Sequence, residues 1–459
     1  MKKSLVLMAM AGVALAGCVN DVADVAQNQE QKKVKIAFDS PMTMTNAESR
    51  AKYYGEIGNI QYSDGGSTYT YPRAEDFLIF AIEHAERYAG GWMNTTTQTA
   101  FAFNNEAISY DDELDGWAPL KTGVPEADKY YYWPLDTYLS FAAVSPANME
   151  QGDDFECSYG DTGLTLENFV VPSASVTVTE TVEGENKKEV VTNNYHQFDL
   201  LFSKRALNCT SDDMVQAAGK YSGIPIHFQH ALSSVRFSLD KENVEQSVYL
   251  KEIRLYGVKN QGDFAETITE NSSDWTKYDR SISGNVNPQW TPKGNLLDDN
   301  DSYCAFYGRV EFKSTPQYVK DLIQEENQKI IESTPAGTTP QLNNSICNQL
   351  LLMPQTLEQY TSESKDPATG VVTPATLGAV LYVRYEIGEV DRERWVALRG
   401  KVGHVDETNG PDKIVNEWEI GTRYTYRLVI SAGTIENDKI YFAPQTEAWK
   451  DVTAIVVEL

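Results

Sequence analysis

The sequence predicts an all-β protein built from two tandem β-sandwiches. Three observations predict it. Apolar residues alternate with polar ones over short runs, the period of a strand with one buried face. Tyr (26), Phe (16) and Trp (8) are abundant and often lie beside Thr and Val, a composition that suits pleated sheets. Many short strands are separated by polar turns, as in sandwich folds. The series restarts around Gly219–Gly223, which places one sandwich over residues 34–222 and a second over 223–459.

The chain opens with Met1, Lys2 and Lys3, then an apolar run from Leu5 to Ala16. A short basic segment followed by a short apolar one is the pattern of a signal peptide, and the run is too short to span a bilayer as a helix. Gly17-Cys18 closes it, so residues 1–17 are expected to be removed between Gly17 and Cys18. The Cys18 thiol is then placed to take a diacylglycerol, and two or three acyl chains anchor a protein firmly. Residues 18–33 are polar and aperiodic and read as a flexible tether.

Val34, Ile36 and Phe38 alternate on one face of a first strand. Phe77–Ala81 is apolar throughout, as in a strand covered on both sides. Leu139–Val144 follows the aromatic cluster Tyr130-Tyr131-Tyr132-Trp133. Val176–Thr179 and Glu189–Thr192 flank Glu183-Gly184-Glu185-Asn186 and read as a hairpin. The second series begins with Ile224–Phe228 and Ser234–Leu239. It continues with Val248–Tyr256, Val380–Tyr385, Trp395–Leu398, Tyr424–Ile430 and Val452–Val457. Within it, Val319, Leu322, Ile323, Ile330 and Ile331 have helical spacing, so a short helix is expected inserted in the second sandwich, over 316–333. Stretches rich in Gly, Ser, Thr and Pro at 63–70, 333–339 and 362–376 read as loops.

The formal charge of −27 repels phosphate backbones and excludes nucleic acid as a natural partner. It also repels anionic lipid, so membrane attachment rests on the anchor. Cys157, Cys209, Cys304 and Cys347 contain no CxxC, which argues against a zinc or redox site. The pairings Cys157–Cys209 and Cys304–Cys347 respect the domain split; four buried thiols are the equal alternative. No HExxH, GxSxG or P-loop occurs. His227 and His230 fall on opposite faces of a strand, and Asp111-Asp112-Glu113 and Asp299-Asn300-Asp301 read as solvated turns. No enzyme, cofactor or metal is therefore expected.

An ordered set of segments carries a resemblance. It runs from Cys18 through Ile36-Ala37-Phe38, Ser49-Arg50-Ala51 and Tyr131-Tyr132-Trp133-Pro134. It continues with Phe228–Phe237, Leu351-Leu352-Met353-Pro354-Gln355, Trp418–Tyr426 and Ile440-Tyr441-Phe442 before Trp449. This set, spanning nearly the whole chain, resembles the fimbrillin family, the shaft, anchor and tip subunits of the lipoprotein pili of Bacteroides-like bacteria. The resemblance implies transthyretin-like sandwiches, outer-membrane delivery of a lipidated precursor, and display on a surface fimbrium. It implies assembly with other pilus subunits by strand exchange, and a host or bacterial surface receptor for an adhesive subunit. A trypsin-like protease would cut between Arg50 and Ala51, or alternatively between Arg73 and Ala74, and release the strand holding Val34, Ile36 and Phe38. A neighbour's strand would then fill the vacated groove. The last residues, with Val452, Ala454 and Val456 on one face and Ile455, Val457 and Leu459 on the other, suit either a donor strand or a final core strand. A competing reading is a lipidated surface glycan binder, with Trp92, Trp117, Trp275 and Trp290 as stacking platforms; core packing is favoured for each.

Overall fold

The computed structural model describes residues 34–39, 61–64, 67–70, 77–85, 100–213, 223–268, 286–298, 302–312, 317–318, 345–346, 350–361, 364–365, 372–373, 376–401, 404–405, 414–431, 441–448 and 457–458, apart from one or two residues at a few points within these ranges. Among them the regular structure is almost entirely β, with two 3-10 turns at Glu126–Asp128 and Ser211–Asp213. None of their helices is long and apolar enough to cross a membrane.

A nine-stranded sheet organises the first half. Its strands lie in the order Ile224–Pro225, Phe38–Asp39, Gly116–Pro119, Ala100–Asp111, Phe77–His84, Tyr138–Ser145, Leu201–Ser203 and Phe228–His230. Ala206–Cys209 also pairs with Tyr138–Ser145. The central pair, Phe77–His84 and Tyr138–Ser145, is covered on both faces. Phe77, Ile79, Ala81, Leu139, Phe141 and Ala143 enter one cluster. Leu78, Phe80, Ile82, Ala142 and Val144 enter the other. Continuous apolar sequence here follows from two-sided burial.

The second cluster extends through Val235, Phe237, Leu239, Leu250, Ile253 and Leu255, so the first sheet shares its core with the second half. There, Ser233–Glu242 runs parallel to Thr422–Ser431, which pairs antiparallel with Tyr441–Ala448. Facing strands form a five-stranded sheet ordered Ser345–Ile346, Tyr303–Glu311, Val248–Tyr256, Val380–Ile387 and Val390–Ala397. A further four-stranded sheet is ordered Val286–Lys293, Gln261–Ile268, Gly163–Val170 and Glu156–Gly160, and so draws strands from both halves. Within it, buried Glu266 accepts hydrogen bonds from the Leu164 amide (3.1 Å) and the Tyr159 hydroxyl (3.3 Å), and meets the buried Arg205 guanidinium at 3.5 Å.

The observed strands bear on several expected elements. The first sheet does not end at residue 222, because Ile224–Pro225 and Phe228–His230 belong to it. Ile224, Ile226 and Phe228 fill the cluster beneath Phe77 and Phe141. The chain passes to the second half at Ala231–Ser233. There Trp290 Nε1 donates to the Ala231 carbonyl (2.7 Å) and Ser233 Oγ to the Glu419 carbonyl (2.7 Å). Within the expected helix, Gln317–Tyr318 is a strand paired with Leu239 and Ser238, and residues 319–333 lie outside the described residues. The stretch at 63–70 contributes to the hairpin Gln61–Asp64 with Ser67–Thr70. The hairpin expected around Gly184 forms a full ladder, Ala174–Glu183 with Asn186–Tyr195.

Candidate functional site

The opening segment lies inside the nine-stranded sheet, second from its edge. On one side it runs antiparallel to the aromatic cluster: the Ile36 amide donates to the Tyr131 carbonyl and the Trp133 amide to the Val34 carbonyl, both at 2.9 Å. Phe38 faces Trp117 one strand away. On the other side it runs parallel to Ile224–Pro225, where the Ile224 amide donates to the Ala37 carbonyl at 2.9 Å. Proline has no amide hydrogen, so this edge partner supplies few donors.

Side chains hold the segment more than main chain does. Ile36 and Phe38 are buried and Val34 half-buried, all against the first cluster. The Phe38 ring sits edge-on to Phe141 (5.2 Å) and to Phe77 (6.0 Å), the favoured aromatic geometry. Burying side chains of this size contributes about 1.5–3 kcal/mol each. The opposite face carries Ala37, fully buried with Leu114, Ala118 and Tyr130. Lys35 places its Nζ 3.4 Å from the centre of the Tyr130 ring.

That ring is backed by a charged cluster. The Tyr130 hydroxyl donates to Asp111 (3.1 Å) and Glu113 (2.9 Å), and burial first, then these carboxylates, push it up to about 12. Lys129 pairs with Asp111, Glu113 and Glu126. Burial alone would raise the Asp111 carboxyl. The Lys129 ammonium, the Leu114 amide and the Tyr130 hydroxyl outweigh it and hold the carboxyl below its ordinary value. Gly223 closes the groove: a Cβ there would lie 2.2 Å from the Ala37 carbonyl oxygen and 2.3 Å from the Phe38 nitrogen. No side chain fits between these two backbones.

Of the residues expected from sequence, Val34, Ile36 and Phe38 are thus brought together with the core. Gly17, Cys18, Arg50, Ala51, Arg73, Ala74 and Cys347 lie outside the described residues, as do Val452, Ala454, Ile455, Val456 and Leu459. Val457–Glu458 pairs with His404–Val405 of the same chain. The Cys157–Cys209 pairing is not formed: Cys157, Cys209 and Cys304 are thiols. Cys157 lies on the four-stranded sheet and Cys209 in the nine-stranded one, and burial pushes the Cys157 thiol up to about 12. Such a thiol is a poor nucleophile.

Sequence reasoning missed Lys35, Ala37, Asp111, Tyr130 and Gly223. The run Tyr130–Trp133 was the available signal, since so many aromatic residues in a row need partners on both faces of a strand. Asp111, expected in a solvated turn, is buried and caps that turn by accepting from the Glu113 and Leu114 amides. Among the described residues no cluster of His, Cys, Asp or Glu is placed to hold a metal. Trp117 is core, and Trp290 packs at 5.3 Å from Phe264 and 5.7 Å from Phe169, so neither is an exposed platform. Trp92 and Trp275 lie outside the described residues.

Comparison with known proteins gives the family. A family model described as fimbrillin-like matches residues 88–449. Among solved structures, the chain is similar to a fimbrial protein from Bacteroides vulgatus, at 16% identity over 82% of this chain and 93% of that one, with a TM-score of 0.38. It is similar to a cell adhesion candidate from Bacteroides uniformis, at 9% identity over 92% and 100% of the two chains, TM-score 0.36. The C-terminally truncated tip fimbrial protein Mfa3 from Porphyromonas gingivalis also matches, at 12% identity over 82% and 95%, TM-score 0.26. No curated protein matches. The family model covers well over half of the chain, and the chain belongs to the fimbrillin-like family.

Proposed function

We propose that this protein is a subunit of a cell-surface pilus, structural or adhesive, exported as a lipoprotein through Cys18 and incorporated by strand exchange. One observation carries the reading. The opening segment is a buried internal strand that forms few main-chain bonds, on a sequence-terminal element that a single cut would release. A cut after Arg50, or after Arg73, detaches it without touching the rest of the sheet. The groove left behind exposes Phe77, Phe141 and Trp117 together with unpaired backbone, which another strand satisfies. The partners are then other pilus subunits, and the lipid holds the precursor at the outer membrane until the cut. The role is structural or adhesive and needs no catalysis.

The test is the N-terminal residue of protein shed from cells, read with its behaviour on an unheated gel. Ala51 or Ala74 at the terminus, with ladders of assembled subunits, is the expected result. Cys18 at the terminus of assembled material would show that the leader stays in place and would overturn the exchange route.

A second reading, a glycan-binding surface, has one observation in its favour. Trp395 is 42% exposed on the edge strand of the five-stranded sheet, flanked by Tyr382 (4.9 Å) and Tyr256 (5.1 Å). Aromatic faces of this kind stack on sugar rings. Retardation of the wild-type chain, but not of Trp395→Ala, in polysaccharide gels would establish it.

A further inference from the structure

The groove beneath the opening segment is more than an apolar slot, and its two faces make different demands. On the first face, Val34, Ile36 and Phe38 meet a cluster shaped by Phe77, Phe141 and Trp117, which requires apolar residues at alternate positions. On the second face, the space at Ala37 is closed by Leu114, Ala118 and Tyr130, and Ala37 has no exposed surface. A larger side chain there has nowhere to go. Two residues earlier, the occupant's side chain meets the face of the Tyr130 ring, where Lys35 now sits. That ring is tied through its hydroxyl to Asp111 and Glu113, and Lys129 pairs with three carboxylates, Asp111, Glu113 and Glu126. The surplus is negative, and the ring face adds to it for a cation placed above it. Gly223 lets the occupant's backbone come close: a Cβ there would lie 2.2 Å from the Ala37 carbonyl oxygen and 2.3 Å from the Phe38 nitrogen.

We propose that this groove is selective: it accepts a strand reading apolar, basic, apolar, small, apolar, supplied by a pilus subunit of different sequence and not by the segment Asp451–Leu459 of another copy. The proposal rests on the strand-exchange reading and specifies its partner. The C-terminal segment fails the pattern in both directions. Residues Asp451–Leu459 contain no Lys or Arg. Setting Ala454 at the small position puts Val452 on the Tyr130 face in one direction and Val456 in the other. Either leaves the negative surplus unanswered. The segment Asp451–Leu459 of another copy is therefore a poor occupant, and a strand from a subunit of different sequence answers the groove.

The experiment uses the full chain with a specific protease site inserted between residues 39 and 61, nicked so that the opening strand is held non-covalently. Fluorescent peptides then compete for its place: the native sequence Lys33–Asp39, the same peptide with Lys35→Glu or Ala37→Leu, and the segment Lys450–Leu459. The native peptide is expected to enter. The Lys35→Glu peptide should enter with about tenfold lower affinity or worse, from loss of the cation on the ring and added repulsion. The Ala37→Leu peptide should be at least about tenfold weaker through overpacking, and the C-terminal peptide no better than these. Equal entry of the native and both variant peptides would overturn the selectivity while leaving strand exchange intact. Native-like entry of the C-terminal peptide would overturn the foreign supply. Failure of every peptide, the native one included, would overturn the exchange reading itself. Because the substitutions are in the peptides, protein folding does not confound the outcome.

Discussion

Two parallel pairings in this molecule are built to opposite specifications. The opening strand runs parallel to Ile224–Pro225 over two residues. Ser233–Glu242 runs parallel to Thr422–Ser431 over nine. The longer pairing is braced on both sides: Leu350–Leu352 pairs alongside Ser233–Val235, and Phe237 stacks on Tyr426, whose hydroxyl accepts from Trp418 Nε1 (3.1 Å). The shorter one has little ladder and depends on Ile36 and Phe38 entering the core. A strand held by side chains in sockets can be replaced by any strand with matching side chains. A strand held by a long ladder is committed to its partner.

The contrast can be broken from either side. The largest effect belongs to the long pairing: Leu239→Ala should lower global stability by roughly 2–5 kcal/mol, read as a shift of the denaturant midpoint. A fall of less than about 1 kcal/mol would mean that this strand is not the committed one. Gly223→Ala comes next. Its new methyl collides with backbone, so the opening strand should be expelled. Hydrogen exchange at the Ile36 and Ile224 amides should become fast while the Ser233–Glu242 ladder stays protected. Uniform loss of protection would show that the two regions unfold as one.

Smaller effects sharpen the comparison. Asp111→Asn removes the buried carboxylate behind Tyr130 and should cost about 1–2 kcal/mol at neutral pH. Because the folded carboxyl lies below its ordinary 3.8, its contribution is present above that value and is lost as pH falls through the lowered one. The gap between variant and wild type should close in acid; a gap constant with pH would point to shape and not charge. Smallest is Glu386→Gln, on the outer face of the five-stranded sheet. There the Arg309 guanidinium and Lys251 ammonium hold the carboxyl at about 2. A slight drop in melting temperature above pH ~4.5 should vanish as the pH approaches 2. Melting curves across that range check it.

What could be read from sequence divides along the same line. Local pairings were legible. The hairpin at 174–195 needs only neighbouring residues, and Val248–Tyr256 shows itself by alternation, although the bulge that shifts its register between Leu250 and Glu252 does not. Long-range pairings were not. Ile224, Ile226 and Phe228 alternate as well as any strand, but nothing near them says that their core lies almost two hundred residues back, beside Phe38. Gln317–Tyr318 falls in the range 316–333 that reads as helical from the apolar residues after it, yet it pairs as a strand with Leu239 and Ser238. At the groove, the apolar face was visible as Val34, Ile36 and Phe38. The other face depends on Ala37 and Lys35, whose meaning comes only from Tyr130 and Asp111 packed against them.

The four-stranded sheet that borrows from both halves carries a mechanical implication. Gln261–Ile268 pairs with Gly163–Val170 from Gln261 to Ala265, across a register shift after Gly262, and its Glu266 is held by Arg205 and the Leu164 amide. Rotating one half about the crossing at Ala231–Ser233 would have to break that pairing as well. This second tie between the halves resists bending at the crossing, and in a fibre made of such units it would favour bending at the joints between them.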